Sequence, residues 1–164
     1  MASPSFRLFN SIIRATAYVT KGVKSITAAA TVSRKDHAGR TSLLNAVAGF
    51  TVTLPATATA RLGEKYRFVV GTTLTSADYI IKVANATDVF VGGVHINDIG
   101  DTTAATNDFF PTASTSDTYT MPSATGGGKK GDWVEFEMIA AGFWAIHGQM
   151  IGVTDPATPF SATV

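Results

Sequence analysis

Apolar and polar residues alternate along much of this chain with a period of two. The clearest examples are residues 50–54 (FTVTL), which precede Pro55, and residues 66–70 (YRFVV), which precede Gly71. A period of two places one set of side chains on a buried face of a strand and the other set on a polar face. We therefore predict two strands here, joined as a hairpin through the small-residue segment that follows Pro55.

Similar short patterns recur at intervals of about 8 to 12 residues, with glycine and asparagine turn signals between them. They predict one or two strands within residues 15–32 and further strands at 41–44, 78–83 and 89–91. Residues 133–139 (WVEFEMI) and 143–147 (FWAIH) are typical of a second hairpin. The long segment 100–131 is rich in polar residues, and we interpret it as an extended loop that packs through its aromatic residues.

Together these patterns predict an all-β protein, either an antiparallel β-sandwich or a jelly-roll-like barrel with an N-terminal extended arm. We expect residues 1–24 to form a docking arm or first strand, residues 25–150 the β-sandwich domain, and residues 151–164 a C-terminal tail. A chain of 164 residues has the length of one domain and can bury a core of its own.

The absence of cysteine excludes disulfides, thiolate catalysis and cysteine-based metal sites. Arg7 and Arg14 interrupt the apolar residues near the N-terminus, so we expect no cleaved signal peptide. No segment approaches the roughly 20 apolar residues of a membrane span. We expect a protein that is soluble, binds no membrane and is made in a reducing cytoplasm.

The formal charge of +1 hides a strong asymmetry along the chain. Residues 1–40 carry seven basic residues and one acidic residue, whereas the rest carries six basic and eleven acidic residues. The basic residues of the arm alternate with large apolar ones, which suits docking on an acidic protein surface better than binding nucleic acid. A first strand with solvated basic side chains is the alternative. The predicted docking residues are Phe6, Arg7, Phe9, Ile12 and Arg14.

One ordered set of residues resembles a module of tailed-phage virion proteins. It comprises Asp36, Gly39, Leu43–Asn45, Gly49–Pro55, Tyr66, Phe68, Ile80, Ile81, Gly131, Asp132, Trp144 and Gly148. Over residues 25–150 the chain is similar to capsid decoration (cement) proteins and to some head or tail fibre domains of phages. The resemblance implies a small β-sandwich that binds the major capsid protein on the virion surface, often as a homotrimer.

Candidate catalytic and metal-binding motifs are weak by comparison. His37, His95 and His147 lie in different segments without metal-ligand spacing, and residues 95–101 are typical of a polar turn. The run GGGKKGD at 126–132 departs from a phosphate-binding loop at two positions, so it indicates a glycine turn. Glu135 and Glu137 fall on the polar face of their strand. We expect no catalytic residues, no metal and no cofactor.

Two classes of function follow from the sequence. The first is a structural capsid decoration protein whose Phe109, Phe110 and Tyr119 contribute to subunit contacts in a trimer. The second is a head or tail fibre module that binds a carbohydrate or receptor through an exposed aromatic platform of Trp133, Trp144, Tyr119 and Phe143. Because large aromatic residues are mostly buried, we favour a core position for Trp144.

Overall fold

The computed structural model describes residues 22–100, 106–123, 126–153 and 156–164. These residues form twelve strands and one short helix, α1 (Arg34–His37). The strands are β1 (Lys24–Ile26), β2 (Ala30–Thr31), β3 (Thr41–Leu44), β4 (Thr51–Thr53), β5 (Lys65–Val70), β6 (Tyr79–Lys82), β7 (Val89–Asp98), β8 (Thr106–Pro111), β9 (Thr118–Met121), β10 (Trp133–Ala140), β11 (Phe143–Gly152) and β12 (Phe160–Ser161).

The strands form two sheets that pack face to face, which confirms the predicted all-β sandwich. The larger sheet has the order β1-β3-β5-β10-β11-β7-β8, and the smaller has the order β12-β9-β6-β4-β2. The first six strands enter the two sheets alternately. Consecutive members of one sheet therefore run in the same direction, and the pairs β1/β3, β3/β5, β2/β4 and β4/β6 are all parallel.

This alternation corrects two expectations from the sequence. The sheets are mixed rather than antiparallel, since β7 and β11 also pair in parallel. In addition, β4 and β5 do not form a hairpin, because they belong to opposite sheets. Each has one apolar face, and that pattern looks the same whether two strands lie side by side or face each other across a core. The hairpin formed by β10 and β11 is confirmed.

Aromatic rings from both sheets meet in the core around Phe136 of β10. Its ring centroid lies 5.0 Å from that of Phe90 and 6.1 Å from that of Phe68, both in the larger sheet. It also lies 6.3 Å from the ring centroid of Tyr119 in the smaller sheet. Trp144 is fully buried beside Tyr66, as we expected for a core tryptophan.

The structure replaces three predicted loops or tails with strands. Within 100–131, β8 pairs with β7 and β9 pairs with β6. Residues 95–98 continue β7 instead of forming a polar turn. At the C-terminus β11 runs to Gly152, and β12 pairs with β9, so the segment from 151 onward contributes to both sheets. Polar and glycine-rich composition concealed these strands because each lies at or near a sheet edge.

We predict that Phe136→Ala lowers the free energy of unfolding by about 3 to 5 kcal/mol, the usual range for truncating a fully buried phenylalanine. The ring contacts both sheets, so its loss leaves a cavity at their junction. Phe143→Ala is the matched control, since Phe143 is 43% exposed, and it should cost less than about 1 kcal/mol. Urea denaturation of both variants measures the difference. Equal losses would contradict the assigned core.

Candidate functional site

The outer face of the larger sheet carries a continuous line of side chains that crosses six strands. We call it the cross-strand row, and it consists of Leu43, Val69, Trp133, Gln149, His95 and Phe109. Successive members are direct register partners from β3 to β8. Because neighbouring strands lie about 4.8 Å apart, these side chains stand next to one another. The row is the most aromatic part of this outer face.

Contacts with neighbouring groups hold the two large rings of the row in place. The guanidinium carbon of Arg67 lies 4.3 Å from the ring centroid of Trp133, a cation–π contact. The Phe109 ring lies over Gly93, where an added Cβ would come within 2.5 Å of the ring atom Cζ. Phe109 also contacts His95, with 5.1 Å between ring centroids. Both rings are therefore ordered although they are partly exposed.

Beside this row lies a second line of residues with opposite charges. Lys65 Nζ is 3.0 Å from Glu137 Oε2 and 3.5 Å from Glu135 Oε1. The hydrogen bond to Glu137 and the charges of both carboxylates raise the pKa of Lys65. His147 Nε2 lies 3.6 Å from Glu135 Oε1 on the other side. The positive charge of Lys65 is thus balanced locally.

At the end of this face, Gly39, Arg40 and Thr41 run alongside β5 and form a groove of about 320 Å³. Its lining is completed by Lys65, Arg67 and Glu135. We call it the basic groove, because three of its four charged side chains are cationic. Among the described residues, neither Arg40 nor Arg67 forms an ion pair. The groove consequently carries positive charge that no neighbouring carboxylate neutralises.

Helix α1 positions residues 39–41, which form one wall of this groove. Its N-cap Ser33 accepts a hydrogen bond from the backbone N–H of Asp36, and Gly39 N–H donates to the carbonyl of Lys65 at 2.8 Å. Arg34 Nε donates to Glu64 Oε2 at 2.9 Å. These contacts fix the connection from α1 to β3, and therefore the position of Arg40, against the start of β5.

Glu64 joins α1 to the core. Burial raises the pKa of this carboxyl, but hydrogen bonds from Tyr66, from the Arg61 backbone and from Arg34 outweigh it, and the net shift is downward. Burial, together with the hydrogen bond to Glu64, raises the pKa of the Tyr66 hydroxyl. Glu64 therefore stays ionised and keeps Arg34 in place near neutral pH.

Basic side chains gather around α1. Burial is the largest cause that lowers the pKa of His37, and the charges of Lys24 and Arg40 lower it further, whereas a backbone hydrogen bond at Ser33 and the charge of Asp36 oppose the shift. Lys24 begins β1, and Lys35 is exposed on α1. The basic character of the N-terminal segment thus continues into the folded body.

Asp132 fixes the turn that leads into β10. Its carboxylate accepts hydrogen bonds from the backbone N–H of Lys129 at 2.9 Å and of Ile151 at 3.1 Å. The turn includes Gly128 and Gly131, both at positive φ, which confirms the glycine turn predicted for 126–132. By joining this turn to β11, Asp132 sets where Trp133 enters the outer face.

The residues predicted to dock or to contact other subunits have different outcomes. Phe6, Arg7, Phe9, Ile12 and Arg14 lie outside the described residues. Phe109 is 54% exposed, as a subunit contact requires, whereas Phe110 is partly buried against the core. Tyr119 is fully buried. The prediction that Tyr119 forms a subunit contact is therefore wrong, because its ring packs against Phe136 and Phe160 within its own chain.

The predicted aromatic platform does not form as a unit. Trp144 and Tyr119 are buried in the core, while Trp133 and Phe143 lie on the outer face. Arg40 and Arg67 were not among the predicted site residues, since 26 residues separate them in the sequence. Only the parallel pairing of β3 with β5 brings their segments together. The outward position of Arg67 within YRFVV was the one signal that the sequence offered.

The described residues contain no group of three or more histidine, aspartate or glutamate side chains arranged to hold a metal ion. Within the same ranges no helix has the length and apolar character to cross a membrane. Comparisons with protein-family models, with curated proteins and with solved structures found no match.

We predict that Asp132 makes stability depend on pH. Burial raises the pKa of its carboxyl from 3.8 to about 6, although two backbone hydrogen bonds oppose the shift. The folded state then binds this proton more tightly than the unfolded state, so the contribution of Asp132 to unfolding free energy falls as pH rises from about 4 to about 6.

The measurement is urea denaturation of wild type and Asp132→Asn between pH 4 and pH 7. His37 has a lowered pKa and acts in the opposite direction, so the difference between the two proteins is the quantity to follow. Wild type should lose stability relative to the variant as the pH rises through this window. A difference that does not change with pH would contradict the assignment.

Proposed function

We propose that this protein is a structural component of a tailed-phage virion, a decoration protein that attaches to the outer surface of the head. The observation that carries the proposal is the group of basic side chains around α1, which we call the basic end. Lys24 of β1 and Arg40 both lie close enough to His37 of α1 for their charges to act on it, and Lys35 is exposed on the same helix. A basic end of this kind is suited to an acidic protein surface, where charge guides the encounter and apolar contacts add affinity.

The packing of the sandwich supports separate roles for its body, which is rigid, and its basic end, which attaches. Among the described residues, buried apolar side chains from Ile26 to Phe160 form the core between the two sheets. The C-terminal residues are held as well, since Asp117 accepts hydrogen bonds from the backbone N–H of Thr163 and Val164. The body therefore supplies a rigid unit, and we assign attachment to the basic end. The resemblance of residues 25–150 to decoration proteins supplies the class of partner, the major capsid protein.

A fibre module that binds a carbohydrate or receptor is the second candidate. The observation that favours it is the cross-strand row, where Trp133, His95 and Phe109 present ring surface beside the amide of Gln149. Sugars pack on aromatic rings and use planar polar groups for hydrogen bonds. However, Arg67 already covers part of the Trp133 ring, so we rank this function below attachment to a capsid.

We predict that deletion of residues 1–14 leaves a folded sandwich that no longer binds capsids. The deletion removes Arg7 and Arg14 together with the predicted apolar docking residues Phe6, Phe9 and Ile12. Co-sedimentation with purified undecorated heads measures binding, and circular dichroism checks the fold. Phe9→Ala should weaken binding more than Arg7→Ala, because an exposed ion pair contributes at most about 1 kcal/mol and a buried phenylalanine about 1.5 to 3 kcal/mol. A truncated protein that still saturates the heads would assign attachment elsewhere.

We also predict a homotrimer in solution, with Phe109 at the subunit contact. Phe109 projects from β8, which lies at the edge of the larger sheet. Light scattering after size exclusion should give three times the chain mass of 17.1 kDa, and Phe109→Ser should lower it. A monomer at high micromolar concentration would contradict this prediction.

A further inference from the structure

We propose that the basic groove binds carboxylate side chains of an acidic peptide segment on the partner protein, and that Arg40 and Arg67 pair with those carboxylates. The inference rests on the proposed function, since it names the chemistry by which the basic end recognises its partner. The groove is thus a second attachment site, located in the folded body, in addition to the one that we assign to the N-terminal arm.

Arg67 is oriented for such a contact. Its guanidinium lies over the ring of Trp133, with 4.3 Å from Cζ to the ring centroid. Stacking uses the face of the guanidinium and leaves the N–H groups at its edge able to donate. Its register partner Glu135 is already engaged by Lys65 and His147 and forms no ion pair with it. A guanidinium that is held in place and has no carboxylate partner is suited to a bidentate ion pair with a carboxylate.

Arg40 carries a second unpaired donor in the same groove. Its Nε atom is buried and has no hydrogen-bond partner among the described residues. A buried donor without a partner is unfavourable, and such groups in folded proteins call for an explanation. Because this atom is shielded from solvent, a carboxylate can accept from it only if the Arg40 side chain shifts on binding. The terminal Nη groups of Arg40, which lines the groove and forms no ion pair among the described residues, are the donors that we assign to the carboxylate. Arg40 immediately precedes β3 and lines the same groove as Arg67 of β5, because Thr41 is the register partner of Arg67.

The charges around the groove favour carboxylates on a peptide over a dense polyanion. Lys65 is neutralised by Glu135 and Glu137, and Glu135 lines the groove on the side of β10. Closely spaced phosphates would meet this negative edge, whereas single carboxylates on a peptide can reach the two arginines and avoid it. An extended acidic segment therefore fits the charge pattern better than a nucleic acid.

The test is fluorescence anisotropy of a labelled hexaglutamate peptide with the full-length protein at low salt, with a hexaglutamine peptide as the neutral control. Arg67→Gln and Arg40→Gln should each weaken hexaglutamate binding about five- to tenfold, as expected for loss of a charge-assisted contact. Lys82→Gln is the matched control, because Lys82 belongs to β6 in the other sheet. It should bind within about twofold of wild type, as expected for a surface substitution away from the contact. Thermal melts confirm that each variant folds.

The proposal would be overturned by equal binding of wild type and Arg67→Gln, by equal losses for Lys82→Gln and Arg67→Gln, or by displacement of the peptide by millimolar inorganic phosphate. The double variant Arg7→Gln/Arg14→Gln separates the groove from the arm, and a loss confined to that variant would also overturn it. If the peptide binds in the groove while the protein fails to bind heads, the site stands and the assigned partner is wrong.

Discussion

The contact between the two sheets at Phe136 determines which side chains of β5 and β10 face outward. Its ring joins Phe68 and Phe90 of the larger sheet to Tyr119 of the smaller one. Because side chains alternate along a strand, burying Phe136 directs Glu135 and Glu137 outward, and burying Tyr66 and Phe68 does the same for Arg67. The aromatic core thus fixes the register of the outer face.

The parallel pairing of β3 with β5 determines where the basic groove lies. The chain passes between the sheets at each of its first strands, so β3 and β5 become neighbours although β4 separates them in sequence. Helix α1, anchored through Arg34 and Glu64, then holds Arg40 beside β5. A sheet formed only from hairpins would have placed these residues elsewhere. The basic groove is therefore a product of the topology.

These relations explain which features the sequence could predict. Alternation identified the inward residues of β4, β5, β10 and β11, because one buried face produces that pattern regardless of its partner strand. It could not identify the partner, so β4 and β5 were paired incorrectly. Tyr119 was assigned to a subunit contact because its segment is polar, yet its strand lies between β6 and β12 with the ring toward the core. The placement of Arg40 and Arg67 in one groove depends on strand pairing between segments that are distant in sequence, and no local pattern predicts it.

Attachment through the basic end can be tested most directly by electron cryo-microscopy of purified phage heads saturated with this protein. We expect density for a β-sandwich whose α1 end and basic groove, with Arg40 and Arg67, face acidic side chains of the shell. The opposite end of the cross-strand row, at Phe109, should lie away from that contact. Density in which the basic groove faces solvent while another surface of the sandwich contacts the shell would contradict it.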